Sequence, residues 1–157
     1  MIFKSIRFWA LLGLLLSSTA MLHAAVCGLS LTLLSFGPVD VIAGTVRDSS
    51  SSLTVTCTGT TGEIVSYSLA ASLSPTYSGT RTLTSGTSTL QYNLFVTSAR
   101  TVVFGDATHG TSLIGGGMTI GLVSTQSVQT IFGRIPGNQN LAPPGSYGDT
   151  VVLTISY

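Results

Sequence analysis

Apolar and hydroxylated residues alternate along this chain with a period of two. Cys27, Leu29, Leu31 and Leu33 occupy one phase, with Gly28, Ser30 and Thr32 between them. Leu53, Val55 and Cys57 repeat the pattern against Ser52, Thr54, Thr56 and Thr58. A helix returns to one face about every 3.6 residues, so this alternation describes strands with one face buried and the other wet. Further runs of this kind are Ile64 to Ala70, Thr89 to Val96, Thr101 to Phe104, Met118 to Val123, Val128 to Arg134 and Thr150 to Tyr157. Turn signals separate them at Gly59 to Gly62, Ser74 to Gly79, Gly115 to Gly117 and Pro143 to Gly145, and the serine run Ser49 to Ser52 reads as a surface loop. Short strands at this spacing, with no long amphipathic helix, predict an all-β fold, an antiparallel β-sandwich.

The N-terminus follows a different logic. Lys4 and Arg7 precede the apolar run Phe8 to Leu16 and the small residues Ser17, Ser18, Thr19 and Ala20, the three-part pattern of a secretory signal peptide. The apolar run is shorter than the roughly 20 residues a membrane span requires. Residues 1–24 are therefore expected to be a signal, cleaved between 20 and 25, with a single domain at 25–157. Val26 stands where a lipid-attachment motif at Cys27 needs a small residue.

Removal of the signal leaves Arg47, Arg81, Arg100 and Arg134 against Asp40, Asp48, Glu63, Asp106 and Asp149, a net charge of −1. Such a chain offers no basic stripe for nucleic acid and no polybasic segment for anionic lipid. Only 7% of all residues are charged, whereas Ser and Thr make up roughly three in ten. Solubility here does not come from charge.

The two cysteines lie in the apolar phase of their strands in an exported chain with no third thiol, so a Cys27–Cys57 disulfide is the economical reading. Two cysteines without a nearby histidine pair do not complete a zinc site, and no metal or cofactor is expected. Asp106, His109 and Ser112 contain the residue types of a hydrolytic triad. Their crowding in one glycine-flanked loop fits a solvated turn better than a base, an orienter and a nucleophile in register. The Gly115 to Gly117 run lacks the lysine and helix of a phosphate loop, and five acids give little scope for a glycosidase pair. No catalytic residue and no small-molecule substrate are assigned. Leu113, Ile114 and Met118 are read as exposed loop residues able to touch a surface.

The order of Cys27, Leu33-Leu34-Ser35-Phe36-Gly37, Thr54-Val55-Thr56-Cys57, Arg81-Thr82-Leu83, Leu90-Gln91-Tyr92-Asn93-Leu94, Phe104-Gly105-Asp106, Phe132-Gly133-Arg134-Ile135-Pro136 and Gly145-Ser146-Tyr147-Gly148-Asp149-Thr150 resembles the spore coat protein U domain family. That family includes subunits of archaic chaperone-usher pili. Phe104 stands where the family usually has Trp, and Phe132 where it usually has Tyr; each swap keeps an aromatic body and drops a polar handle. The resemblance implies an immunoglobulin-like sandwich lacking its last strand. Its partners would be a periplasmic chaperone, an outer-membrane usher and other pilus subunits, which complete it by strand addition. The implied function is a non-enzymatic fibre subunit at the cell surface, serving adhesion and biofilm formation, with a secreted coat protein as the alternative.

The expected partner-strand groove comprises Leu29, Leu31 and Leu33 of the first strand and Val151, Leu153, Ile155 and Tyr157 of the last. On its residues alone, the last strand reads equally as an ordinary paired sandwich strand; the resemblance favours the groove. A donating subunit needs about ten alternating residues ahead of the first cysteine. The short stretch from Met21 to Val26 suggests a subunit that accepts a strand and does not donate one, as at a fibre tip, although tip subunits of this class tend to carry a second domain. Leu29 to Leu34 is the other candidate donor, at the expense of the Cys27–Cys57 register.

Overall fold

A computed structural model describes residues 24–42, 44–139 and 141–157. The expected signal segment lies almost wholly outside them. Among the described residues there are eight strands and no helix: β1 (Val26–Leu31), β2 (Arg47–Thr58), β3 (Ile64–Ala71), β4 (Arg81–Ser85), β5 (Ser88–Phe95), β6 (Ile114–Thr119), β7 (Thr125–Ile135) and β8 (Leu153–Ser156). They form a five-stranded sheet in the order β1-β2-β7-β5-β4 and a three-stranded sheet in the order β6-β3-β8, with every pairing antiparallel. The sheets curl into a half-barrel, an all-β sandwich that is incomplete on one side.

The period of two decides what is inside. Leu53, Val55 and Cys57 of β2 meet Val65, Tyr67, Leu69 and Ala71 of β3, while Leu90, Tyr92 and Leu94 of β5 and Ile131 and Ile135 of β7 continue the same buried face. The intervening Thr54, Thr56 and Thr58 point outward, where β-branched hydroxyl residues suit a wet pleated face. Cys27 lies directly opposite Cys57, and their disulfide ties the edge strand β1 to the centre of the core.

Three local readings change. The serine run is not a loop: Ser49 to Ser52 lie within β2, opposite Gly133 to Thr130 of β7. Their other neighbour explains the composition. The β1 ladder ends at Leu31, and the chain then leaves β2 to cross the inner face. Thr32 N–H still donates to the Ser52 carbonyl (3.0 Å), after which side chains take over. Ser51 Oγ donates to the Thr32 carbonyl, Ser49 Oγ to the Ser35 carbonyl, and Arg47 Nε to the Phe36 carbonyl (2.8 Å). The hydroxyls thus satisfy a backbone that has moved out of ladder reach. Leu34 and Phe36 cross β7 at Gly133, where a Cβ would run into both side chains.

Gly115 to Gly117 is likewise not a turn but the middle of β6. Gly116 faces Tyr67, whose ring occupies the space a side chain there would need. Ile114 and Met118 are consequently core residues of β6 and not exposed loop contacts. Thr101 to Phe104 forms no strand and makes only single bridges, Val103 to Phe95 and Phe104 to Ser112. Arg81 to Ser85, in contrast, is a full strand that the alternation left unmarked.

The disulfide closes a loop of 30 residues in sequence separation. A Cys27→Ser/Cys57→Ser chain should lose about 3–4 kcal/mol of stability by loop-closure entropy, read as a lower urea midpoint with a slope that rises somewhat, because the unfolded chain is no longer cross-linked. A loss below about 1 kcal/mol would mean that the β1–β2 ladder holds the edge unaided.

Candidate functional site

Five strands face three, so one end of the larger sheet is covered by irregular segments and not by a strand. An apolar trough of about 1200 Å³ lies there. Its floor is the inner face of the five-stranded sheet, with Leu83, Leu90, Tyr92, Leu94, Ile131 and Ile135. Its walls are the segment after β1, residues 31–42, and the approach to β8, residues 141–153.

The strand bordering the trough has a sheet neighbour on one side only. Ser72 N–H donates to the Val152 carbonyl (2.9 Å), in the same register that pairs Ala71 with Leu153. Hydrogen-bonding direction alternates along an antiparallel strand, so Val152, Thr154 and Ser156 point towards β3. Val151, Leu153 and Ile155 therefore turn their N–H and C=O groups to the open edge. An uncovered edge of this kind beside an apolar floor is a template for another strand.

Polar groups fix the shape of the walls. Tyr92 Oη donates to Asp149 Oδ2 at 2.6 Å, tying the floor to the C-terminal approach. Burial, the Asp149 hydrogen bond and the Asp149 charge raise the Tyr92 phenol well above its ordinary value, against a smaller opposing effect of Arg81. Gln139 supplies a second tie: its amide accepts from Gln91 N–H (2.6 Å) and donates to the Gln91 carbonyl (2.9 Å). The β5–β7 register would place Pro136 opposite Gln91, and proline has no N–H to give. The glutamine side chain stands in for the missing ladder step.

The four arginines of the described residues are all engaged in holding the fold. Buried Arg81 donates to the carbonyls of Ser72 (2.7 Å) and Phe104 (3.2 Å), pinning two loops together. Arg134 makes a two-pronged contact with Asp48 (2.7 and 2.8 Å), which holds the Asp48 carboxyl below its usual range. Arg100 adds a 3.4 Å contact to Asp48 and lies 5.5 Å from the Phe132 ring centre, so the family's tyrosine position here provides a cation–π surface. Arg47 is spent on the Phe36 carbonyl. Arg134 and Asp149 thus find partners 86 and 57 residues away in the chain.

Of the residues expected to form a groove, Leu31, Leu33, Val151 and Leu153 line the trough. Leu29 and Ile155 pack half-buried against the core, and Tyr157 lies more than half exposed outside the lining. The floor was missed, although the alternation Leu90, Tyr92, Leu94 in β5 signals it. Leu29 to Leu34 is not free to donate: Cys27 to Leu31 is paired to β2 in register. Asp106 and His109 fall in one exposed turn while Ser112, half-buried, is bridged to Phe104; Asp106 accepts from Thr108 Oγ1 (2.5 Å) and N–H (3.0 Å), and these bonds lower its pKa. Thr108 Oγ1 lies 2.8 Å from His109 Nδ1, so the threonine is interposed between acid and histidine.

Residues 14–154 match the family model for the Spore Coat Protein U domain. No curated protein matches the chain.

The Tyr92–Asp149 tie has a pH signature. A phenol whose folded pKa is raised contributes stability that is intact below its unfolded value, about 10, and is lost as the pH rises beyond it. Tyr92→Phe should cost about 0.5–1.5 kcal/mol at neutral pH, the net worth of one hydrogen bond, because the exposed Asp149 carboxylate can turn to water when it loses its donor. It should also flatten the alkaline loss of stability in denaturant titrations. An alkaline limb as steep as that of the wild type would assign the loss to other groups.

Proposed function

The chain belongs to the spore coat protein U domain family, which includes pilus-type subunits, and from this premise we propose that it is an exported structural subunit of a surface pilus, completed by a strand from a partner. The observation that carries the reading is the apolar trough beside the open edge of β8. A strand laid along that edge gains a backbone ladder with Val151, Leu153 and Ile155. Every second side chain of that strand would drop onto Leu83, Leu90, Leu94, Ile131 and Ile135. Backbone bonds supply affinity without sequence demands, and the alternating pockets supply register.

A periplasmic chaperone would fill the trough first, and an outer-membrane usher would exchange its strand for that of another subunit. The disulfide fits an oxidising compartment on this route, and residues 1–24 would be the export signal removed before it, leaving 25–157 as the pilin domain. The fibre would serve adhesion and biofilm formation. The chemistry is strand exchange, with no bond made or broken and no cofactor.

A ten-residue peptide alternating Val and Thr tests the trough directly. At a hundredfold excess over its Kd it should stabilise the chain by about 2.7 kcal/mol, a rise of several degrees in Tm. Leu83→Arg should abolish the shift by placing an unpaired charge on the floor. Co-expression with a periplasmic chaperone should yield a 1:1 complex. A chain that is a stable monomer alone, takes no chaperone and shows no peptide shift would be a self-sufficient coat protein instead.

A further inference from the structure

The floor of the trough is not bare. Leu90, Tyr92, Leu94, Ile131 and Ile135 are residues on which an added strand would seat its side chains, yet within the single chain none is more than 7% exposed. Part of the cover is the chain's own segment from Leu33 to Ile42. Leu34, Phe36, Val39 and Val41 turn inward and pack half-buried against the core, whereas the residues between them are exposed. That is the alternation of an added strand, supplied from within. Gly133 makes the seat: it stands between Ile131 and Ile135 on the inward face of β7, and a Cβ there would meet Phe36 Cζ at 2.8 Å and Leu34 Cδ2 at 3.0 Å. The Phe36 ring then meets Tyr92 edge-on, with ring centres 6.1 Å apart.

The segment imitates a strand without being locked as one. From Leu33 to Ile42 it belongs to no ladder. Gly37 adopts a φ of +63° and Pro38 has no N–H to donate, so the alternation breaks between Phe36 and Val39 and no continuous ladder can form. Its backbone is held from β2 by side chains, Ser49 Oγ on the Ser35 carbonyl and Arg47 Nε on the Phe36 carbonyl. The wall at 141–153 is fastened differently: Thr84 and Gly148 exchange backbone bonds (2.8 and 3.0 Å), and Tyr92 holds Asp149. Of the two covers, 33–42 has the lighter fastening. Two sets of side chains cannot fill one notch, so a strand that reaches Ile131 and Ile135 must first turn out Leu34 and Phe36.

We propose, resting on the strand-addition reading, that residues 33–42 are a removable strap: a built-in stand-in that shields the apolar floor and competes with the incoming strand for it. The exchange is like for like, because the incoming strand restores apolar contacts to the floor while the released strap regains conformational freedom. The apparent affinity for a strand is then lowered by the fraction of molecules in which the strap is open.

The experiment measures the apparent Kd of the ten-residue alternating Val and Thr peptide, fluorescently labelled, for the full exported chain and three variants. Leu34→Ser/Phe36→Ser removes the inward side chains, Gly133→Ala fills their notch, and Arg47→Ala/Ser49→Ala frees the backbone with those side chains in place. Arg47 and Ser49 lie outside the trough lining, so the third variant alters the strap and not the peptide's own contacts. Each should lower the Tm of the chain alone and tighten peptide binding roughly tenfold, the worth of one or two hydrogen bonds removed from the closed form. Arg47 is exposed and Ser49 half-buried, so this variant decides the matter even where the other two fail to fold. Unchanged or weaker binding by Arg47→Ala/Ser49→Ala would make the segment a fixed part of the receptor and overturn the strap alone. A peptide that binds neither the wild type nor any variant overturns strand addition itself, and the strap with it.

Discussion

A five-stranded sheet cannot be covered by a three-stranded one, and this mismatch organises the molecule. Where β3 and β6 lie over β2 and β7, the core closes around Leu53, Val55, Cys57 and Leu69, all fully buried. Where the smaller sheet stops at β8, no strand lies over the inward phases of β5 and β7, and the segments 31–42 and 141–153 cover them instead. The same alternation that builds the core therefore builds the trough. No special residues mark the site, because the missing feature is a strand and not a side chain.

The chain meets the resulting strain on its backbone with side chains that imitate ladder partners. Ser49, Ser51 and Arg47 bond the carbonyls of the segment leaving β1, and Gln139 replaces the ladder step that Pro136 forfeits. Arg81 serves two more carbonyls from within the core. Such bonds satisfy backbone groups that have no ladder partner where the sheets diverge, at a cost in side-chain entropy that is small for the serines and larger for the arginines and Gln139. A low-charge chain spends its few cations on this work, and its outward face is left to Thr and Ser.

The sequence made the closed half of the fold legible and the open half only partly so. Alternation around Cys27 and Cys57 identifies two strands and their pairing, since a disulfide between strands requires the two residues to be opposite. Ser49 to Ser52 and Gly115 to Gly117 misled because their composition answers to partners elsewhere: the carbonyls of residues 32 and 35, and the ring of Tyr67. A local window registers flexibility where the fold has a hydroxyl ladder and a close approach. The alternation of the last strand and the family resemblance point to a groove between the first and last strands, and Leu31, Leu33, Val151 and Leu153 do line the trough. Its floor lies in β5 and β7, whose lack of a covering strand follows from how many strands each sheet has, and that number is a property of topology.

An open trough need not be a loose one. Its walls are held by Tyr92 to Asp149, Gln139 to Gln91 and Arg47 to Phe36, three ties that join the floor or β2 to segments otherwise without ladder partners. Binding a strand costs ordering entropy on both sides, and a receptor already ordered removes its share. The incoming strand then pays mainly for its own ordering, and the apolar area it covers offsets that cost at roughly 25 cal/mol per Å². The polar ties around the trough thus do for the open end what the apolar core does for the closed one: they hold the surface in the conformation that the proposed donor strand would meet.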